Sequence, residues 1–344
     1  MEKIRVGLVG CGRISYKHIE AIIEHSKSAK IVAVCDIIKE RADEAALKTG
    51  AIAYTSYAEM LEKENLDMIS ICTPSGLHSD HGILAAKKGI KVLTEKPMAT
   101  NINDADLLIK ACDDNNVDLY VVKQNRLNRT CQLLKKAIDK NRFGKIYMST
   151  VNVFWTRPQD YYDQAKWRGT WEFDGGAYMN QASHYVDMMS WLVGEVESVM
   201  AYTATLERNI EAEDSGVAAI KFRNGAMGSI NVTMLTYPKN YEGSITIMGE
   251  NGTVKLGGIA LNKVEHWEFK DYDDDDAQIF ESNYTPQNIY GNGHSTYYDN
   301  VFKNILGEGK PETDGRSGRK SLEIIQAIYM SSKDKKCISL PINL

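Results

Sequence analysis

The chain has 344 residues, room for about two domains of ordinary size, and carries 41 Lys and Arg against 46 Asp and Glu, a formal charge of −5. No basic block is present that would neutralise several phosphates, which argues against a nucleic-acid surface. Hydrophobic residues at 43% and charged residues at 25% are globular proportions, and no apolar run is long enough to span a bilayer, so a cytoplasmic chain without membrane insertion is expected.

From the start of the chain, β-branched runs alternate with helical patterns. Ile4 to Val9 is followed by Arg13 to His25, Ile31 to Cys35 by Lys39 to Thr49, and Met68 to Cys72 by Ser79 to Lys88. The run Lys91 to Thr94, the helix Asn103 to Asn115 and the strand Leu119 to Val122 complete the series. Such alternation builds βαβ units around a parallel sheet covered on both faces, an α/β, doubly wound domain over residues 1–124. After Gln124 the texture changes. A helix over Thr130 to Lys140 and a longer apolar helix are joined by strand-like runs at Lys145 to Trp155, Val196 to Leu206, Gly216 to Phe222, Ala226 to Leu235, Ser244 to Met248 and Thr253 to Leu256. Turn signals such as Arg223-Asn224-Gly225 and Glu250-Asn251-Gly252 separate them and favour antiparallel pairing. Residues 125–344 are therefore expected to form an α+β domain with a large, mainly antiparallel sheet. The acidic stretch Asp271 to Asp276 reads as a solvated loop, and helices Tyr297 to Leu306 and Ser317 to Ser331 close the chain. The six cysteines are scattered, without the paired spacing of zinc sites, and read as reduced, mostly buried thiols; no metal site is expected.

Between the first strand and first helix lies Gly10-Cys11-Gly12-Arg13-Ile14-Ser15. In a dinucleotide fold the first glycine makes the tight turn, the second admits the pyrophosphate close to the backbone, and the helix N-terminus supplies partial positive charge. Ser15 stands where glycine or alanine is usual. Asp36 ends the second strand, where a carboxylate can accept both ribose hydroxyls of NAD and would repel a 2′-phosphate. The alternative for Asp36 is a strand-end cap for the next helix. Ile37 and Ile38 follow it without an adjacent arginine, which favours NAD over NADP, with Arg41 the nearest cation downstream. The fifth strand ends in Thr94-Glu95-Lys96-Pro97, at the strand ends where ligands bind in open α/β sheets. An ammonium there can hydrogen-bond a substrate hydroxyl and stabilise a developing alkoxide.

The glycine loop, Thr73-Pro74 with His78 following, Glu95-Lys96-Pro97, and Gly175-Gly176 leading to His184 together resemble the Gfo/Idh/MocA family of oxidoreductases, over the whole chain. Within it, Val122-Lys123-Gln124-Asn125-Arg126, Asn152 through Trp155-Thr156-Arg157-Pro158, Lys166-Trp167-Arg168-Gly169-Thr170-Trp171 and Asn180-Gln181-Ala182-Ser183-His184 resemble one subgroup. That subgroup is the 3-dehydrogenases of UDP-N-acetyl-2-amino-2-deoxy-D-glucuronate (UDP-GlcNAcA) in bacterial O-antigen synthesis. The resemblance implies cofactor contacts from Gly10, Gly12, Arg13, Ile14 and Asp36 in the first βαβ unit. It adds Thr73, Pro74, His78, Glu95, Lys96 and Gln124 from later strand ends. It also implies a UDP-sugar partner, a homotetramer formed through the large sheet, and in some members recycling of the cofactor by 2-oxoglutarate.

Ala182, Val186, Met189 and Val193 form one apolar stripe on a helix starting near Gly176, while Asn180, His184 and Asp187 lie on another face. His184 lies about 200° from Ala182 around the helix, so it points away from the stripe. A histidine, with an ordinary pKa near ~6.5, suits removal of a proton from a sugar hydroxyl as hydride leaves the same carbon. With the family resemblance His184 is the expected base and Lys96 the group that orients the hydroxyl; the alternative base is a deprotonated Lys96, whose pKa would have to be lowered by several units. The family usually has aspartate at the position of Asn180, and an amide cannot raise the histidine pKa as a carboxylate would, so Asn180 is expected to position substrate. The anionic substrate calls for cations, and Arg157 and Arg168 fall in a Trp-rich segment. The resemblance adds Trp155, Trp167, Trp171, Tyr161, Tyr162, Asn125, Arg126, His294 and Tyr298 as further lining candidates, with core packing or a subunit interface the alternative for each tryptophan.

Overall fold

The computed structural model describes residues 2–285 and 293–342. They divide into two compact units. The first comprises the chain up to Gln124 together with His294–Arg319, and the second takes Asn125–Gly293 and the residues from Lys320 onward. The segment His294–Arg319, assigned to the second domain on sequence order, thus belongs with the first unit.

In the first unit β1 (Ile4–Val9), α1 (Ser15–Glu24), β2 (Ala29–Cys35), α2 (Lys39–Thr49), β3 (Ile52–Tyr54), α3 (Tyr57–Lys63) and β4 (Met68–Ile71) alternate strand and helix. α4 (His78–Ala86), β5 (Lys91–Thr94), α5 (Ile102–Asp114) and β6 (Leu119–Val121) continue the pattern. The sheet is wholly parallel in the order β3-β2-β1-β4-β5-β6, the dinucleotide-binding order that reverses between β1 and β4. Its central strands are buried on both faces, which is why they read as continuous apolar runs. β3 and α3 had no sequence signal: three half-exposed strand residues and seven helical ones are too short for a period to emerge.

In the second unit α6 (Arg129–Asp139) precedes β7 (Ile146–Phe154), α7 (Gln159–Asp163) and α8 (Ser183–Val193). Six strands follow: β8 (Val196–Ala204), β9 (Ser215–Phe222), β10 (Met227–Thr233), β11 (Glu242–Gly249), β12 (Gly252–Gly257) and β13 (Lys263–Phe269). A short α9 (Ile279–Ser282), then α10 (Gly293–Ile305), α11 (Gly315–Asp334) and β14 (Ile338–Ser339) end the chain. α10 lies in the first unit after Gly293, and the division falls inside α11. The eight-stranded sheet runs β13-β12-β11-β7-β10-β9-β8-β14, antiparallel at every neighbour except β7 with β10. One face is core, with Val151, Val153, Ile230, Val232, Ile245 and Ile247 buried in adjacent rows. The other leaves Met148, Tyr202, Val217 and Met227 exposed. The stretch Asp271–Asp276 is not a solvated loop. Asp273 caps a 3₁₀ turn, Asp275 accepts from Lys136 and Lys140 at 2.6 and 2.7 Å, and Asp276 pairs with Arg142 at 2.6 Å. Among the described residues no helix is long and apolar enough to cross a membrane.

Candidate active site

The glycine turn after β1 is set by backbone crowding. Gly10 has φ +89°, and a Cβ there would lie 2.6 Å from the Cys72 carbonyl carbon and 2.7 Å from Thr73 N. At Gly12 nothing stands within 4 Å of a Cβ, so open space flanks the backbone just before α1, where a phosphate can approach. Ile14 is the half-buried residue before α1, Arg13 is exposed, and Ser15, in the usual glycine position, returns its hydroxyl to Gly12 O at 2.7 Å. Asp36 holds the backbone on either side of it. Its Oδ2 accepts from Cys11 N–H and its Oδ1 from Ile38 N–H, each at 2.8 Å, fixing glycine loop and helix entry. Each oxygen keeps a further acceptor site, so the geometry fits a ribose diol.

Four residues expected at the cofactor or substrate, Glu95, Tyr298, His294 and His78, are buried and held by protein groups. Glu95 is buried: Oε1 meets His18 Nε2 at 3.0 Å and Oε2 accepts from Lys96 N–H at 3.1 Å. Burial alone would raise its pKa, but the His18 ring and nearby His294 hold it well below the usual carboxylate range. Burial likewise opposes charge on His18, yet Cys72, Tyr298 and Glu95 keep its pKa well above an ordinary histidine. The two form a buried ion pair under the Lys96 turn. Tyr298, expected to line a substrate pocket, is fully buried in this unit, its hydroxyl 2.8 Å from His18 Nδ1 and 2.7 Å from Ser70 Oγ. His294 is buried beside them, with Nε2 3.6 Å from Glu95 Oε1. His78 is also buried, its ring nitrogens 2.7 Å from Pro97 O and 2.8 Å from Thr73 O, so it ties the Thr73-Pro74 turn to the Lys96-Pro97 turn. Thr73, Pro74 and Lys96 keep partial exposure, and the Lys96-Pro97 peptide is cis. Gln124 is buried at the end of the unit.

In the second unit the chain reaches α8 through a π-helical turn, Ala177–Gln181, a feature common at functional sites. Asn180, on this turn, donates its side-chain N–H to Asp174. This partner, six residues earlier in the chain, is one that sequence spacing alone did not suggest. Along Ala182–Met189 every residue is buried except His184. Asp187 does not line a cleft with it: Arg126 donates to both Asp187 oxygens at 2.8 Å, a buried bidentate pair, and stacks over Trp191. Arg126 is held buried by this pair, and its neighbour Asn125 is buried at the start of the unit.

Arg157 and Arg168 converge on Tyr161, their guanidinium carbons 5.4 and 4.3 Å from its ring centre. Arg157 donates to Gln181 Oε1 at 3.0 Å and Thr156 O at 2.7 Å and stacks over Trp155. Arg168 stacks over Trp167, and its buried Nε has no hydrogen-bond partner among the described residues. A buried donor left without an acceptor is costly, so this N–H marks a place for an anion. Trp155 itself is core, edge-on to Tyr185, and Tyr162 is buried, whereas Trp171 packs on Tyr329 with its other face exposed.

Two family models match the chain. Residues 4–123 match the profile described as "Oxidoreductase family, NAD-binding Rossmann fold", and residues 135–342 match "Oxidoreductase family, C-terminal alpha/beta domain". The WlbA dehydrogenase from Bordetella pertussis, solved with NADH and UDP-GlcNAcA, is 57% identical over 99% of both chains, with a TM-score of 0.97. The WlbA protein from Chromobacterium violaceum, solved with the same two ligands, is 53% identical over 100% of this chain and 98% of its own, with a TM-score of 0.96. A myo-inositol 2-dehydrogenase from Thermotoga maritima is 25% identical over 98% of each chain. The chain belongs to the Gfo/Idh/MocA oxidoreductases, and residues 4–123 are that family's NAD-binding Rossmann domain.

Proposed function

We propose that this protein oxidises the carbon-3 hydroxyl of UDP-GlcNAcA to the 3-keto sugar with NAD. The observation that carries this reading is 57% identity, over nearly the whole of both chains, to a dehydrogenase solved with NADH and that sugar. NAD supplies the hydride acceptor. His184 takes the hydroxyl proton, being the one residue of Ala182–Met189 that is not buried. Lys96 orients the hydroxyl and steadies the developing alkoxide. Arg168 holds the hexuronate carboxylate through its unpaired Nε, because the Arg157 donors are taken up by Gln181 and Thr156. Asn180, fixed by Asp174, places the sugar.

The physiological setting we propose is cytoplasmic O-antigen sugar synthesis. A homotetramer forms by packing the exposed sheet face that carries Tyr202, Val217 and Met227, an apolar patch of the kind that marks contact surfaces. Product analysis after mixing the protein, NAD and UDP-GlcNAcA, with and without 2-oxoglutarate, tests the reading. A 3-keto product is expected. Turnover accelerated by 2-oxoglutarate indicates recycling of bound NADH, and turnover without it indicates release. The full-length match to an inositol dehydrogenase supports a second reading, oxidation of a free sugar or inositol. Equal turnover of UDP-GlcNAc or inositol would remove the carboxylate role given to Arg168.

A further inference from the structure

The glycine pair before Asn180 rests on a buried carboxyl. Gly176 has φ −101° and ψ −159°, a conformation open to any residue, yet a Cβ there would lie 1.5 Å from Glu213 Oε2. The glycine is required because a carboxyl is packed against its Cα. Glu213 lies just before β9 and is 2% exposed. Its Oε1 accepts from Tyr178 N–H and from the Tyr329 hydroxyl, both at 2.9 Å. Tyr329 in turn accepts from Met179 N–H at 3.2 Å, and the main-chain carbonyl of Glu213 accepts from Ala177 N–H at 3.0 Å. Three consecutive amides of the π-helical turn, of the kind a helix start leaves unsatisfied, thus depend on Glu213 and the tyrosine bound to it. Oε2 has no hydrogen-bond partner among the described residues. It shares with Asp174, Asn180 and Gln181 the lining of a void too small to admit water.

We propose that Glu213 is a positioning residue for the dehydrogenation, shaping the turn that delivers Asn180 and the first residues of the His184 helix. The inference rests on the function proposed above. Glu213 does this as a neutral acid. Burial lifts its pKa to about 8 against the Tyr178 and Tyr329 donors, and the Asp174 carboxyl pushes the same way. The titratable groups around it are Asp174 from the glycine turn, Tyr178 from the π-helical turn and Tyr329 from α11; no cation is among the groups acting on it. Ionisation would set a second negative charge beside Asp174 with no donor for Oε2, and the turn would shift.

The test compares wild type, Glu213→Gln and Glu213→Ala, by turnover of UDP-GlcNAcA with NAD between pH 6.5 and 9.5 and by melting temperature between pH 4.5 and 9.5. Glutamine keeps the shape of the neutral carboxyl and has no proton to lose. Turnover proportional to the protonated form makes the ratio of kcat in Glu213→Gln to kcat in wild type rise about tenfold from pH 7 to pH 9, with KM moving less than twofold. Glu213→Ala loses about tenfold in kcat at every pH, because the amides of the turn lose their acceptor. The melting arm follows from linkage. A carboxyl whose folded pKa is raised makes the folded chain hold a proton that the unfolded chain releases. Wild type therefore loses melting temperature relative to Glu213→Gln as pH rises from about 5 to 8, and the gap stays constant above. Should Glu213→Gln fail to fold, infrared spectra of wild type decide: a carboxylic-acid band present at pH 7 and lost by pH 9 supports the proposal, and its absence at pH 7 overturns it. Parallel kcat profiles with a pH-independent melting gap also overturn it. If wild type turns over no nucleotide sugar, the function reading falls, and the melting arm alone decides for or against Glu213.

Discussion

The turns at Gly10 and Gly176 both lead into a helix, and they are built by different means. At Gly10 the constraint is backbone: φ is positive, and the space a Cβ would fill belongs to main-chain atoms of Cys72 and Thr73 on the neighbouring strand. At Gly176 the backbone is extended and the space is taken by the Glu213 carboxyl, which arrives from 37 positions further along the chain. A turn set by backbone crowding leaves a local trace, glycines at fixed spacing between a strand and a helix. A turn set by a distant side chain leaves a glycine whose reason lies elsewhere in the sequence.

The largest effect is expected at the chemistry carried by the second turn. His184→Asn should lower kcat by about 10²- to 10⁴-fold and abolish the acidic limb of the kcat profile, with KM for the sugar changing much less. A retained acidic limb would transfer the role of base away from this helix. Next is the buried pair that anchors the same helix. Arg126→Ala should destabilise the protein by about 3–5 kcal/mol in denaturant unfolding, because Asp187 is left buried without its partner. A loss below about 1 kcal/mol would mean that the pair is replaceable, and that the helix is held by its apolar stripe alone.

Gly10→Ala should cost about 2–3 kcal/mol from the left-handed backbone and the clash with Cys72. Gly12→Ala, entering open space, should leave stability within about 0.5 kcal/mol while weakening NADH binding, read by fluorescence titration. If the two substitutions behave alike, the first turn is not set by crowding and the contrast with Gly176 disappears. The smallest effect is expected for Tyr298→Phe, about 1 kcal/mol from the lost bonds to His18 and Ser70, with KM for the sugar unaffected. A tenfold rise in KM would return Tyr298 to the substrate pocket that sequence position suggested.

Much of the first unit was legible because parallel strands buried on both faces must be apolar throughout, and because the glycine loop and Asp36 occupy one βαβ unit. What escaped notice there was short, as with β3 and α3, or came from far along the chain. Residues His294–Arg319 pack with the first unit, where Tyr298 and His294 complete a buried polar cluster with His18, Ser70 and Glu95. In the second unit the apolar stripe and the outward face of His184 follow from helical period. The bond from Asn180 to Asp174, the Arg126–Asp187 pair and the ion pairs of Asp275 and Asp276 do not, because an acidic residue in sequence carries no mark of the partner that will neutralise it.

By itself the sequence determined the alternation of strand and helix, the nucleotide turn and the positions of Lys96 and His184 at the ends of regular elements. These follow from hydrophobic period and backbone sterics, which act over a few residues. Tertiary structure alone decided which charged and polar groups are held inside: Glu95 on His18, Asp187 on Arg126, Asn180 on Asp174, and Glu213 beneath Gly176. Whether a buried polar group is tolerated depends on a partner within about 3 Å, and that distance is set by the packing of elements remote in the chain.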